Sequence, residues 1–96
     1  MNRELLTKDE IKTFLLKFSQ WTYVENSFFR VFEFSNFLKA FKFMTEVAEI
    51  AEEIDHHPDW SNSWNKVNIS ISTHSSGGVS SLDCEFVKRV SLIESE

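Results

Sequence analysis

The chain has one cysteine, Cys84, one proline, Pro58, and only two glycines, Gly77 and Gly78. A single thiol cannot form an internal disulfide. The first residues are polar and charged rather than an apolar signal segment, so the chain reads as cytoplasmic. No apolar run approaches the length that crosses a bilayer. Positive charge is also scarce: 10 Lys and Arg stand against 15 Asp and Glu, for a formal net charge of -5. Nucleic-acid binders need a basic face to displace counterions from phosphate, so this balance argues against that class, and equally against a polybasic membrane contact. The two glycines precede a helix start, but no phosphate-cradling motif accompanies them, and they read as a plain turn. Cys84 has no thiolate-stabilising cluster beside it in sequence and reads as an ordinary helical cysteine.

What the chain has in abundance is aromatic: ten Phe and three Trp in 96 residues. That length makes one domain, residues 1–96, with no room for a second. So small a body buries a modest fraction of its surface and gains from a partner subunit. Some of the aromatic surface is expected in such an interface.

Taken in order, Thr7-Lys8-Asp9-Glu10 fits a reciprocal helix cap, and Ile11, Phe14, Leu15 and Phe18 follow at helical spacing. Residues 21–24 and 28–34 are rich in strand formers and flank the turn Glu25-Asn26-Ser27, which predicts an antiparallel hairpin. Phe residues of both parities in the second strand predict at least partial cover on both faces. Ser35 is the expected cap of a long helix over residues 36–55. Phe37, Phe41, Met44, Ala48 and Ala51 form one stripe on it; Phe43, Val47, Ile50 and Ile54 form another. Together they are wider than the roughly 100° that one packing partner needs, so a second helix or another subunit is expected against this helix. His57 precedes Pro58, which disfavours helical angles and ends the helix near Asp55 or His56. Residues 59–65 form a polar link, with room for a short extended piece. From Lys66 to Thr73 the chain alternates: Val67, Ile69, Ile71 and Thr73 face one way, Asn68, Ser70 and Ser72 the other. A strand continued to residue 74 would place His74 on the polar face. Ser80-Ser81-Leu82-Asp83 then matches a second cap, before a last helix to about Ile93. The order α-β-β-α-(β)-β-α with short connections predicts an α+β fold: an antiparallel sheet with helices on one face.

The chemistry concentrates in Glu52 to Trp60, where two histidines stand at a helix end, and in His74. Imidazole is the one side chain whose unperturbed pKa lies near neutrality. Three readings of His56-His57 stay open: solvated surface residues; a metal site completed by His74 and Asp83, though no zinc-ligand spacing is present; or metal-free acid–base catalysis, with Glu52 four residues before His56 orienting its ring. Trp60 and Trp64 read as core or interface residues, or as a platform for a flat substrate. Asp83 is already explained as a capping carboxylate. The periodicity places any pocket where the end of the long helix meets the end of the last strand.

At this point the residues resemble a known family. Glu52-x-x-x-His56-His57-Pro58-x-Trp60, Asn65-Lys66-Val67, Ser72-Thr73-His74, Gly78-Val79-Ser80 and Asp83, with Trp21, Phe32-x-Phe34, Phe37, Ala40-Phe41 and Phe43-Met44 upstream, are similar to the pterin-4a-carbinolamine dehydratases. The resemblance implies a four-stranded antiparallel sheet, order α-β-β-α-β-β-α, in a homodimer or homotetramer without metal or organic cofactor. It implies loss of water from 4a-hydroxytetrahydrobiopterin to give quinonoid dihydropterin during tetrahydrobiopterin recycling. It assigns His56, His57 and His74 as the catalytic histidines and Glu52, Trp60 and Asp83 as substrate-binding residues. Animal members of the family also act as dimerisation cofactors of a homeodomain transcription factor, so a non-catalytic interaction module is the alternative, as is action on another pterin. The chain departs from the pattern at Val79, where many members carry Leu, and at Ser76 and Leu82, where animal members carry Cys and Arg.

Overall fold

In the computed structural model, which describes residues 3–93, the reciprocal cap forms as its residues require. Glu10 N–H donates to Thr7 Oγ1 and Thr7 N–H to Glu10 Oε1. It starts α1, Lys8–Lys17. The hairpin follows as β1, Thr22–Val24, and β2, Ser27–Glu33. Its two turn residues, Glu25 and Asn26, both have positive φ, the geometry that matches the twist of paired strands. The long helix is α2, Phe37–Ile54, capped by the side chain of Asn36 and not by Ser35. Asn36 has the extended backbone a cap needs, and its Oδ1 accepts from Lys39 N–H. The polar link contains a full strand, β3, Asp59–Ser63, which pairs with β4, Lys66–Ile71. The last helix is α3, Ser81–Ile93.

All strand pairs are antiparallel, in the order β1-β2-β4-β3. The inner face carries Phe28, Phe32, Val67, Ile69 and Ile71, all buried. All three helices cover that face. Phe14 of α1 meets Phe28, Phe43 of α2 meets Phe32 and Phe34, and Phe86, Val87 and Val90 of α3 are wholly buried in the same core. Among the described residues, no helix covers the outer face. Phe29 is half-buried there and Val31 is 48% exposed, so the expected cover on both faces of β2 is incomplete within one chain.

Helix α2 uses only part of its apolar arc. Ala40, Phe43, Val47, Ile50 and Ala51 are buried, while Phe37, Leu38 and Phe41 remain 43%, 78% and 54% exposed. The stripe of Phe43, Val47, Ile50 and Ile54 therefore faces the core, while Phe37, Phe41 and Ala48 of the other stripe point away from it. No helix among the described residues is long and apolar enough to cross a membrane.

Candidate active site

The end of α2 shapes the site. Asp55 adopts the left-handed conformation (φ 51°) that helix ends usually give to glycine, which this chain hardly has. Asp55 N–H donates to Glu52 O and His56 N–H to Ala51 O, closing the last carbonyls. The chain reverses within one residue. As a result His56 is buried (7% exposed) while its neighbour His57 faces solvent.

His56 meets Asp83. Its Nε2 lies 2.6 Å from Asp83 Oδ1, and the carboxylate is fully buried. The capping reading of Asp83 holds in part: Ser80 N–H donates to Oδ2 at 2.8 Å, and Leu82 N–H to Ser80 Oγ. The same carboxylate also takes the Thr73 hydroxyl at Oδ2 (2.8 Å), and Thr73 Oγ1 lies 2.7 Å from Ser80 Oγ. Capping alone thus leaves most of the bonds of Asp83 unexplained. Inside a protein such hydrogen bonds are electrostatically stronger than in water, and costly to leave unmade.

The other two histidines also have carboxylates. His57 Nε2 is 2.6 Å from Glu52 Oε2. The sequence spacing predicts Glu52 beside His56; the reversal at Asp55 ends the helical register and hands Glu52 to His57 instead. His74 Nε2 is 3.3 Å from Asp59 Oδ2, with both side chains largely exposed. Asp59 is the residue that sequence reasoning missed, and its only signal was an acid inside His56-His57-Pro58-Asp59-Trp60. Thr73 and Ser80 were missed too: the alternation turns Thr73 inward, but nothing local shows which acid such a hydroxyl meets.

His74 reaches its place by a different route from the one strand parity predicts. The ladder ends at Ile71, short of the expected Thr73, and His74 opens a short 3-10 turn, His74–Ser76. That turn is closed by Gly77 in the left-handed region (φ 77°) and by Thr73 N–H donating to Gly78 O at 2.7 Å. Thr73 keeps its predicted inward orientation and is wholly buried. Trp60 is half-buried against the core, and with Phe29, Asp59, Ser61 and Asn68 it lines an open depression of about 450 Å³. Trp64 does not join the core: it sits on the β3–β4 turn, 66% exposed.

The contacts close a ring. From His56 the chain runs through His57 and Pro58 to Asp59, which touches His74; Thr73, next to His74, bonds Asp83, which returns to His56. The six residues singled out in sequence therefore gather where the end of α2 meets the start of β3, the end of β4 and the start of α3. His56 and His57 each commit Nε2 to a carboxylate, one pair buried and one open to solvent, which leaves their Nδ1 for other chemistry, while His74 only approaches Asp59. Among the described residues no three His, Cys, Asp or Glu side chains converge as metal ligands.

Comparison with known proteins places this arrangement in context. The family model described as pterin 4 alpha carbinolamine dehydratase matches residues 4–93. A protein of Mesorhizobium japonicum, provisionally named a pterin-4-alpha-carbinolamine dehydratase, is 45% identical over 92 residues, 94% of each chain. One of Prochlorococcus marinus strain MIT 9515, with the same provisional name, is 39% identical over 93 residues, 97% of each. The crystal structure of a transcriptional coactivator/pterin dehydratase from Brucella melitensis superposes with a TM-score of 0.92 at 35% identity, covering 96% of this chain and all of that one.

Proposed function

The chain belongs to the pterin 4 alpha carbinolamine dehydratase family, and from that premise we propose that it is a hydro-lyase removing water from 4a-hydroxytetrahydrobiopterin to give quinonoid dihydropterin. The observation that carries the reading is the set of three histidines around one end of the fold, two hydrogen-bonded to their own carboxylates and the third, His74, within 3.3 Å of Asp59. Hydroxide is a poor leaving group, so cleavage of the C4a–O bond needs a proton delivered to oxygen. The cation left behind is neutralised by loss of a ring-nitrogen proton. Two imidazoles do both jobs near neutral pH, each typically worth about 10²–10⁴ in rate.

In this reading His56 and His74 form the acid–base pair. His56 is buried and oriented by Asp83, and His74 stands exposed on its turn, open to a substrate from solvent. His57, braced by Glu52, binds and orients the substrate, and Trp60 offers an apolar wall for the flat heterocycle. The test follows decay of the 4a-carbinolamine by absorbance, with a hydroxylase generating it. Micromolar protein should accelerate the decay, and His56→Ala and His74→Ala should each abolish most of that acceleration. No acceleration by the wild-type protein refutes the reading.

A second reading concerns assembly and rests on the bare stripe of α2. Phe37, Leu38 and Phe41 form an apolar surface on the solvent side of α2. A homodimer or homotetramer formed through it accounts for that surface, whether or not the same face also serves as an interaction module.

A further inference from the structure

Two hydroxyls behind the site have a fixed direction. Thr73 has one hydroxyl proton, and it goes to Asp83 Oδ2 at 2.8 Å. The 2.7 Å contact between Thr73 Oγ1 and Ser80 Oγ therefore has Ser80 donating. Ser80 Oγ in turn accepts from Leu82 N–H. The result is a one-way chain, Leu82 N–H to Ser80 to Thr73 to Asp83, with Thr73, Ser80 and Asp83 all at 0% exposure. In such a chain each bond polarises the next. The backbone of Thr73 is pinned as well: its N–H donates to Gly78 O, and its carbonyl accepts from Ser76 and Gly77 N–H. Thr73 thus joins the turn bearing His74 to the carboxylate that holds His56.

We propose that Thr73 and Ser80 are positioning residues: their hydroxyl chain occupies Asp83 Oδ2, so that Oδ1 alone faces His56 and the ring proton is kept on Nε2 with Nδ1 presented to substrate. The role in turnover rests on the dehydratase reading; the hold on the ring does not. Without the Thr73 hydroxyl, Oδ2 keeps one donor, Ser80 N–H. The carboxylate then gains freedom to rotate, and the line from Oδ1 to Nε2 is lost in part of the population. A purely structural Thr73 would behave differently, because an isosteric apolar side chain fills the same volume.

The experiment compares Thr73→Val, Thr73→Ser and Ser80→Ala by ¹⁵N NMR of the histidine rings and by dehydratase kinetics. Wild-type His56 should show the Nε2-protonated pattern. Thr73→Val should show a mixed or shifted pattern and a kcat lower by tenfold to a hundredfold, with KM within about threefold. Thr73→Ser should restore both, and Ser80→Ala should give a weaker form of the Val effect. If Thr73→Val does not fold, Ser80→Ala carries the test alone. A wild-type His56 pattern in folded Thr73→Val and Ser80→Ala overturns the proposal, as does failure of folded Thr73→Ser to restore it. A wild-type protein without dehydratase activity whose His56 pattern still responds to Thr73→Val refutes the function and leaves the hydroxyl chain standing.

Discussion

Replacing Asp83 tests the buried half of the site in two ways at once. The carboxylate accepts from Thr73, Ser80 N–H and His56 at 2.8, 2.8 and 2.6 Å, with no exposure to water. Asp83→Asn keeps the shape. With its oxygen in the place of Oδ2 it still accepts from Thr73 and Ser80, but its amide then points an N–H at His56 Nε2. Two donors cannot face each other, so the ring proton must move to Nδ1. The bond to His56 reverses and all three bonds lose their charge, at a cost of about 2–4 kcal/mol. Asp83→Ala instead orphans the buried Ser80 N–H and leaves a cavity, for about 3–6 kcal/mol. Either is a large share of the roughly 5–15 kcal/mol that holds a small domain.

Urea unfolding followed by circular dichroism measures the cost, and ¹⁵N NMR of His56 reports the tautomer. The expected order is wild type, then Asn, then Ala in stability. Asp83→Asn should carry its His56 proton on Nδ1 and lose about 10²–10⁴ in kcat. An Ala variant within about 1 kcal/mol of wild type would show that the buried bonds are not what orders this end of the fold. An Asn variant that keeps its ring proton on Nε2 would refute the tautomer argument.

Other outcomes follow from single features. Asp55→Gly should raise stability by about 0.5–1 kcal/mol in thermal unfolding, because it relieves a left-handed L-residue and removes a negative charge from a helix end that has no basic residue in its last turn. Burial of Cys84, with the charges of Asp83 and Glu10 adding to it and Lys88 opposing, raises its thiol from the ordinary 9.0 to about 11. At pH 8 its alkylation should be about a hundredfold slower than in urea-unfolded protein. The folded state favours the thiol form, so this contribution to stability is complete below pH 9 and is lost as pH rises toward 11. Phe41→Glu should leave the circular dichroism spectrum unchanged but weaken self-association at least tenfold in sedimentation velocity, since one buried Phe is worth about 2 kcal/mol at an interface.

The features legible in sequence were those fixed by local chemistry. The cap at Thr7 and Glu10, the alternation of Val67, Ile69, Ile71 and Thr73, and the double stripe of α2 each depend on residues within one element. The parts that were not legible depend on a change of direction. Asp55 in the left-handed region carries no strong sequence signal, because the pattern there is that of a helix running out against a proline. Yet that one residue decides that Glu52 serves His57, and that His56 turns inward to find Asp83, 27 residues away. Once His56 is inside, its partner must be a buried acceptor, and a carboxylate is kept there by surrounding it with donors. Thr73 and Ser80 meet that need from the two ends of the connection between β4 and α3. The alternation of β4 already turns Thr73 inward; what no window of sequence around Thr73 or Ser80 contains is His56, which the turn at Asp55 brings to the same carboxylate.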